Sequence, residues 1–382
     1  MSSSLKIVPV ATAKDRRRFV DLPFRLYRGD RHWRPPIKAE VHDLIAGSVR
    51  RNPWFSHARL GLWLAVRNGE VVGRISAQVD DLVQDRMGRG TGQWGLLECV
   101  DDRAVASALL DVAEDWLRQQ GMTRSLGPFS LSLWDECGLL IRGFDAPPTV
   151  MMGHHAPHYA GAVEAHGYVA AKDLHAYAVP LGGFPERVNR IAALGEAEAR
   201  IRVRQVDKSR FDTEAALILG ILNDAWANSW GFVPMTPAEV AHFGKKLRPV
   251  VYEDLVYIAE LDGVPAAFML TLPDLNELTA DLNGTLLPFG WAKLLLRLRA
   301  PKVRRIRVPL MGVRQSLQRS RTASLMAFAM IERTRRTAAA RYGAGEAEIG
   351  WILDDNAPMR AIADAIEGNI TKTYRIYERA LA

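Results

Sequence analysis

The chain has 382 residues, 48% of them hydrophobic and 24% charged, with 50 basic against 43 acidic side chains and a net charge of +7. This composition supplies packed cores for about two or three domains and excludes a disordered or low-complexity chain. The only cysteines, Cys99 and Cys137, are too few for a disulfide framework or a zinc site, and no apolar run approaches the ~20 residues of a membrane-spanning helix.

In chain order, the apolar stretch Ile7 to Ala11 is too short for a signal-peptide core, which leads us to expect a soluble or peripheral cytoplasmic protein. Ala13 to Arg28 reads as a helix. A hairpin follows, with the apolar runs Leu64–Val66 and Val71–Ile75 on either side of Asn68-Gly69. Asn-Gly favours a type I′ turn because both central positions need positive φ. Ala104 to Gln120 is the next long helical pattern. The same series then recurs: a helix over Thr213 to Asn228, a hairpin around Asp262-Gly263, a strand-like run Arg305 to Met311, and a helix over Ser324 to Arg341. The repetition predicts two related α/β (α+β) domains, 1–182 and 196–382, joined by a linker over 183–195, with the boundary marked by Gly182-Gly183 and Gly195. Near the C-terminus, Ala347, Ile349, Trp351 and Leu353 alternate as a strand, Asn356 and Pro358 start a helix, and Lys372 to Arg379 reads as a closing strand.

The charge is local. Between Asp281 and Glu332 there are ten basic residues and no acidic one, so the rest of the chain is nearly neutral. A strand, a polar loop over Arg314 to Thr322 and a helix start sit inside this segment. That order suits phosphate, because the first turn of a helix offers unpaired N–H groups and the positive dipole end. The alternative is a solvated basic face. Nucleic acid fits poorly, since the basic residues are interleaved with Leu and Trp rather than spread over an aromatic sheet.

The loop Arg319-Ser320-Arg321-Thr322-Ala323-Ser324 resembles the Q/R-x-x-G-x-G/A signature of the GNAT superfamily, with Thr322 and Ser324 where glycine-like residues are usual. Gly127-Pro128-Phe129-Ser130, Asp135 to Leu140, Pro273 to Glu277, Pro309 to Val313 and Lys372 to Glu378 make the chain similar, over residues 35 to 380, to a tandem-GNAT family of bacterial N-acyltransferases. Trp134 and the pair His154-His155 depart from the family pattern. The resemblance implies two GNAT-like domains, each a mixed, mainly antiparallel sheet flanked by helices. It implies an acyl-CoA co-substrate and transfer of a long-chain acyl group to the amine of a sphingoid base, giving a ceramide-type amide. Met311, Val313, Arg319, Ser320, Arg321, Thr322, Ala323, Ser324 and Asn356 are then the expected cofactor-binding residues. A transferase of the same fold with another acyl or aminoacyl donor and a cell-envelope amine, or a degenerate binding protein, stays open.

The first domain carries an acidic stretch, Glu98 to Asp102, where the basic loop would be expected; it would repel a pyrophosphate, so that domain is expected to serve the acceptor. Its richest polar stretch, from Gly127 to Tyr159, offers His154, His155, Glu136 and Asp135 as candidates for accepting the ammonium proton or anchoring it. His154-His155-x-x-His158 has no zinc-fold context and no metal is expected. Trp134, Tyr159, Phe289, Trp291 and Leu295 are candidates for substrate, acyl or membrane contact. Leu286 to Arg299 mixes Phe, Trp and Leu with Lys and Arg, as does a helix lying in a membrane interface; a core-packing helix with a basic rim is the alternative.

Overall fold

The computed structural model describes residues 4–381. In chain order the elements are β1 (Leu5–Pro9), α1 (Ala13–Leu26), α2 (Lys38–Leu44), β2 (Ala58–Arg67), β3 (Glu70–Asp80), α3 (Asp81–Met87), β4 (Thr91–Cys99), α4 (Arg103–Gln119), β5 (Arg124–Gly127), β6 (Leu139–Arg142), α5 (His158–Ala165) and β7 (Val169–Pro180). They continue as α6 (Glu186–Ala197), β8 (Ile201–Gln205), α7 (Phe211–Ala225), α8 (Pro237–Leu247), β9 (Val256–Leu261), β10 (Val264–Pro273), α9 (Leu275–Thr279), α10 (Gly290–Arg299), β11 (Arg305–Val313), α11 (Arg321–Thr337), β12 (Glu346–Leu353), α12 (Ala357–Ala365) and β13 (Asn369–Ala380).

The chain divides into two compact units. The first comprises the described residues up to 174, with 280–287 and 372–381; the second comprises 175–279 and 288–371. In the first unit β1, β2, β3 and β4 pair antiparallel in sequence order, β4 pairs parallel with β5, and β5 pairs antiparallel with β13. In the second, β8, β9, β10 and β11 pair antiparallel and β11 pairs parallel with β12. Helix, hairpin, strand and helix thus recur in one order, as the sequence repeats predict. Both hairpins turn as their residues require, with Asn68 and Gly69 at φ 51° and 81°, and Asp262 and Gly263 at 51° and 80°.

Two features differ from the expected organisation. Residues 183–195, read as a linker, lie largely in α6, which buries Val188 and Ala192 in the core of the second unit. Gly195 is what lets α6 approach α11: a Cβ there would stand 2.4 Å from the Leu325 carbonyl oxygen. The closing strand, read as the end of the second domain, belongs from Lys372 onward to the first unit. Lys372 is buried there, its ammonium held by the carbonyls of Gly143 and, at 2.6 Å, Ala146.

The cores explain why these elements hold. Helix α4 buries Val105, Leu109, Ala113 and Leu117, an i, i+4 series, against Ile75, Ala77 and Trp94 of the first sheet. In the second unit, α11 buries Leu325, Met326, Phe328, Ala329 and Met330 against Tyr257, Met269 and Ile306.

Candidate functional site

In the first unit the β4–β5 ladder runs from Thr91–Arg124 to Gln93–Leu126, and past it the Phe129 N–H donates to the Trp94 carbonyl at 2.8 Å. Opposite, the β3–β4 register shifts between Arg74 and Ser76, so Leu96 and Leu97 face the single residue Ile75, and Leu96 takes φ 48°. This bulge re-aims the strand and sets Glu98 directly across from Arg74. Gly95 is required beside it: a Cβ would fall 1.6 Å from the Phe129 carbonyl oxygen.

A cavity of about 90 Å³ opens there, lined by Arg74, Glu98, Ser130, Glu136, His154 and His155 among apolar side chains that include Trp33, Leu139 and Met152. Two hydroxyls hold Glu98. Tyr27 donates its hydroxyl to Glu98 Oε2 at 2.6 Å, and Tyr159 donates to the same oxygen at 2.8 Å. Burial pushes the Glu98 carboxyl up to about 7, while Arg74 and the two tyrosine hydroxyls oppose that rise. A carboxyl there exchanges its proton near neutrality, the property a general base needs.

The three clustered histidines go to three different partners. His154 Nε2 bonds Asp30 Oδ2 at 2.8 Å, and its Nδ1 is buried without a hydrogen-bond partner among the described residues. Burial lowers its pKa, and Asp30 acts against that. His155 accepts the Leu140 N–H on Nδ1 at 3.1 Å, and burial drives its pKa down to about 3. It stands neutral, with a conjugate acid too strong for useful proton uptake at neutral pH. His158 Nε2 lies 3.3 Å from the Cys99 carbonyl oxygen.

Of the acceptor-side residues expected from sequence, Glu136, His154 and His155 therefore meet at one cavity, and Tyr159 reaches it through Glu98. Asp135 instead accepts the Ser132 hydroxyl at 2.8 Å, and Trp134 is buried; neither lines the cavity. Sequence reasoning missed Glu98, Tyr27, Arg74 and Asp30. Glu98 carries a signal, a lone acid between Leu97 and Cys99, and it lies in β4 rather than in the loop that begins at Val100. Its neighbour Asp102 caps α4: Oδ1 accepts the Ala104 N–H at 2.8 Å while Arg67 donates to Oδ2 at 2.7 Å. A carboxylate of the chain itself thus occupies that helix start.

The corresponding helix start in the second unit carries no acid. Ser320 caps α11, its hydroxyl accepting the Ala323 N–H at 3.0 Å, and Arg319 stands in the left-handed region at φ 65°. The cap lets the helix begin at Arg321, earlier than the expected Ser324. Arg319 and Arg321 are exposed and form no ion pair among the described residues. The loop before them is pinned: Arg314 Nε donates to the Pro265 carbonyl at 2.9 Å, Gln315 N to Asp224 at 2.7 Å, and Gln318 Nε2 to the Val313 carbonyl at 3.0 Å.

The ten basic residues do not form one anion site. Arg305 pairs with Asp274 at 3.0 Å, Arg304 with Glu277 at 3.7 Å, and the buried Arg307 with Glu348 at 3.6 Å. The acids absent from the segment come from the junction between β10 and α9, from α9 itself and from β12. Among the expected cofactor residues, Ser320, Arg321, Thr322, Ala323 and Ser324 stand at the helix start with Arg319 just before it. Met311 and Val313 end β11, where the Met311 carbonyl accepts the Trp226 indole N–H at 3.2 Å. Asn356 caps α12 instead, its side chain accepting the Met359 N–H at 3.2 Å. Phe289, Trp291 and Leu295 are exposed at 78%, 53% and 51%, at the start and along the outer side of α10.

No family model matches the chain. It is 44% identical over 383 residues to the "Bacterial ceramide synthase" of Caulobacter vibrioides, covering all of this chain and 98% of that protein. It is 40% identical over 367 residues to "Protein YghO" of Escherichia coli, covering 96% of this chain and 93% of that one. Among solved structures, a tandem GNAT protein from the clavulanic acid biosynthesis pathway superposes with a TM-score of 0.60 at 14% identity, covering 99% of each chain. That likeness shows the tandem-GNAT fold.

Proposed function

We propose a function from one premise: this chain belongs to the same family as the bacterial ceramide synthase. The chain is an N-acyltransferase that uses acyl-CoA. In our reading the donor carries a long-chain acyl group and the acceptor is the primary amine of a sphingoid base. The observation that carries the reading is the end-to-end identity with a protein of that name, over both tandem units. The two helix starts support it. The first is closed by Asp102, and the second, bare of acid and flanked by Arg319 and Arg321, suits the phosphates of coenzyme A.

The chemistry is direct transfer. The ammonium first loses a proton to become a nucleophile, and Glu98 is our candidate acceptor, with Glu136 and the His154–Asp30 pair as the other polar groups of its cavity. The free amine attacks the thioester carbonyl carbon, a C–N bond forms, the C–S bond breaks, and the second amine proton leaves with the thiol of coenzyme A. Phe289, Trp291, Leu295 and Leu296, with Lys293 and Arg299 on the same helix, support peripheral contact with an anionic membrane from which a lipid amine could be drawn.

The test is incubation of the purified chain with palmitoyl-CoA and sphinganine, with thiol release and amide product followed together. Stoichiometric amide and thiol are expected. Amide formed only from water-soluble amines, or with acetyl-CoA as readily as with palmitoyl-CoA, would remove the sphingoid reading. No amide from any donor and amine would remove the activity.

A further inference from the structure

The second unit contains another cavity, of about 110 Å³, between α7 and α8 on one side and the sheet on the other. Ile218 and Leu222 of α7, Phe243 and Leu247 of α8, Leu270 of β10 and Leu310 of β11 form its walls. The polar groups at its rim are engaged elsewhere. Lys208 Nζ donates to the Val251 carbonyl at 2.7 Å, Glu214 receives Arg204 at 2.9 Å, and Asp207 accepts the Ser209 and Arg210 side chains. The cavity's walls are almost wholly apolar, and covering them with hydrocarbon removes both surfaces from water. Its fitting occupant is hydrocarbon.

The place of Leu310 says which hydrocarbon. Strand β11 stays paired with β12 only as far as Val308–Ile349, and its register with β10 slips between Leu270–Leu310 and Leu272–Arg307, around Pro309. Leu310 thus stands just beyond the point where β11 leaves β12, and four residues further on Arg314 opens the loop to Arg319 and Arg321. One strand therefore joins the apolar cavity to the basic helix start, as a ligand with phosphates at one end and an alkyl chain at the other requires. We propose that this cavity receives the far end of the donor's unbranched acyl chain and limits its length. The proposal rests on the acyl-CoA reading above.

Gly244 of α8 lines the cavity, and a Cβ there would make ordinary contact with Phe211 at 3.4 Å. Gly244→Leu should therefore fill the cavity in a helix that gains propensity, and Gly244→Ala serves as control. The full-length variants are assayed with C8 to C18 acyl-CoA donors against one sphingoid base, then with one donor against amines of varied tail length. We expect Gly244→Leu to lower kcat/KM for C16–C18 donors by roughly four-fold per excluded methylene. C8–C10 donors and the amine-length profile should be unchanged. An unchanged donor profile in the folded variant, or a shift in the amine profile instead, overturns the proposal.

Binding of a fluorescent C16 fatty acid to the same proteins separates this proposal from the activity. If no amide forms at all, probe binding that weakens about ten-fold in Gly244→Leu, as two lost methylene contacts imply, still supports the cavity. Equal binding, or none to the unmodified chain, overturns it. Should Gly244→Leu not fold, Ala215→Leu fills the same cavity from α7 and is read by the same criteria.

Discussion

Glu98 shows how one residue acquires a chemical property from its surroundings. A solvated glutamate titrates near 4.3; here burial raises it to about 7, and Tyr27, Tyr159 and Arg74 keep it from rising further. A base works in its deprotonated form, so the rate should climb as pH rises through about 7 and level off above it. Glu98→Gln is expected to flatten that limb and to lower kcat by on the order of 10² or more. Tyr27→Phe removes a donor that favours the charged carboxylate, so the limb should move to higher pH. The pH dependence of kcat/KM in both variants checks the assignment. A limb that persists in Glu98→Gln assigns the proton to another group, with the His154–Asp30 pair next in line. His155 does not qualify, because its Nδ1 is committed to the Leu140 N–H and its pKa lies near 3.

At the scale of elements, two equivalent helix starts have opposite electrostatics. Asp102 closes the start of α4 with a carboxylate, whereas Ser320 caps α11 without charge and engages the Ala323 N–H of its first turn. Arg319→Ala and Arg321→Ala should each weaken acyl-CoA binding by ~1.5–3 kcal/mol, about 10- to 150-fold. Isothermal titration at two salt concentrations reads this, because charge-assisted contacts weaken with added salt. Unchanged affinity in both folded variants would move the donor elsewhere. Helix α10 is a different kind of element. Leu294 and Leu298 pack toward the core of the second unit, while Phe289, Trp291, Leu295 and Leu296 stay exposed beside Lys293 and Arg299. Replacing Phe289, Trp291 and Leu296 with Ser should reduce co-sedimentation with vesicles rich in phosphatidylglycerol at least several-fold, since each is a large interfacial side chain. Neutral phosphatidylcholine vesicles should bind less than anionic ones, a difference that shrinks with salt. Equal binding by the triple variant would leave the patch without a membrane role.

Over the whole molecule, the first unit depends on the last stretch of chain. Residues 372–380 add β13 to β5, and Tyr377 and Leu381 join the same core as Leu109 and Trp94. Lys372 also occupies two carbonyls of the first unit. A chain ending at residue 368 should therefore lose the stability of its first unit, although nothing is removed from residues 1–174. Hydrogen exchange would show lost protection in β4, β5 and α4, with β8 to β11 retained. A truncated chain with full protection in β4 and β5 would contradict the contact division.

Features that depend on near neighbours are legible in the chain without a fold. Asn68-Gly69 and Asp262-Gly263 dictate their turns through positive φ, the apolar spacing of 105–117 and 325–330 dictates helices, and the repeated order of these elements marks two related α/β units. The chain also points to the acid-free basic helix start, because the absence of acid over fifty positions is visible without a fold. Tertiary structure alone decided the rest. Whether Arg305 and Arg307 are free cations or ion-paired rests on Asp274, just past the end of β10, and on Glu348 of β12, both brought alongside β11 by the sheet. Glu98 becomes a candidate base only when Leu96 bulges β4, α1 brings Tyr27 and α5 brings Tyr159. The closing strand reads correctly as a strand, yet its pairing with β5 and β6 joins it to residues more than two hundred positions earlier. Local chemistry sets backbone conformation over a few residues, whereas burial and partner choice are set by residues tens to hundreds of positions away.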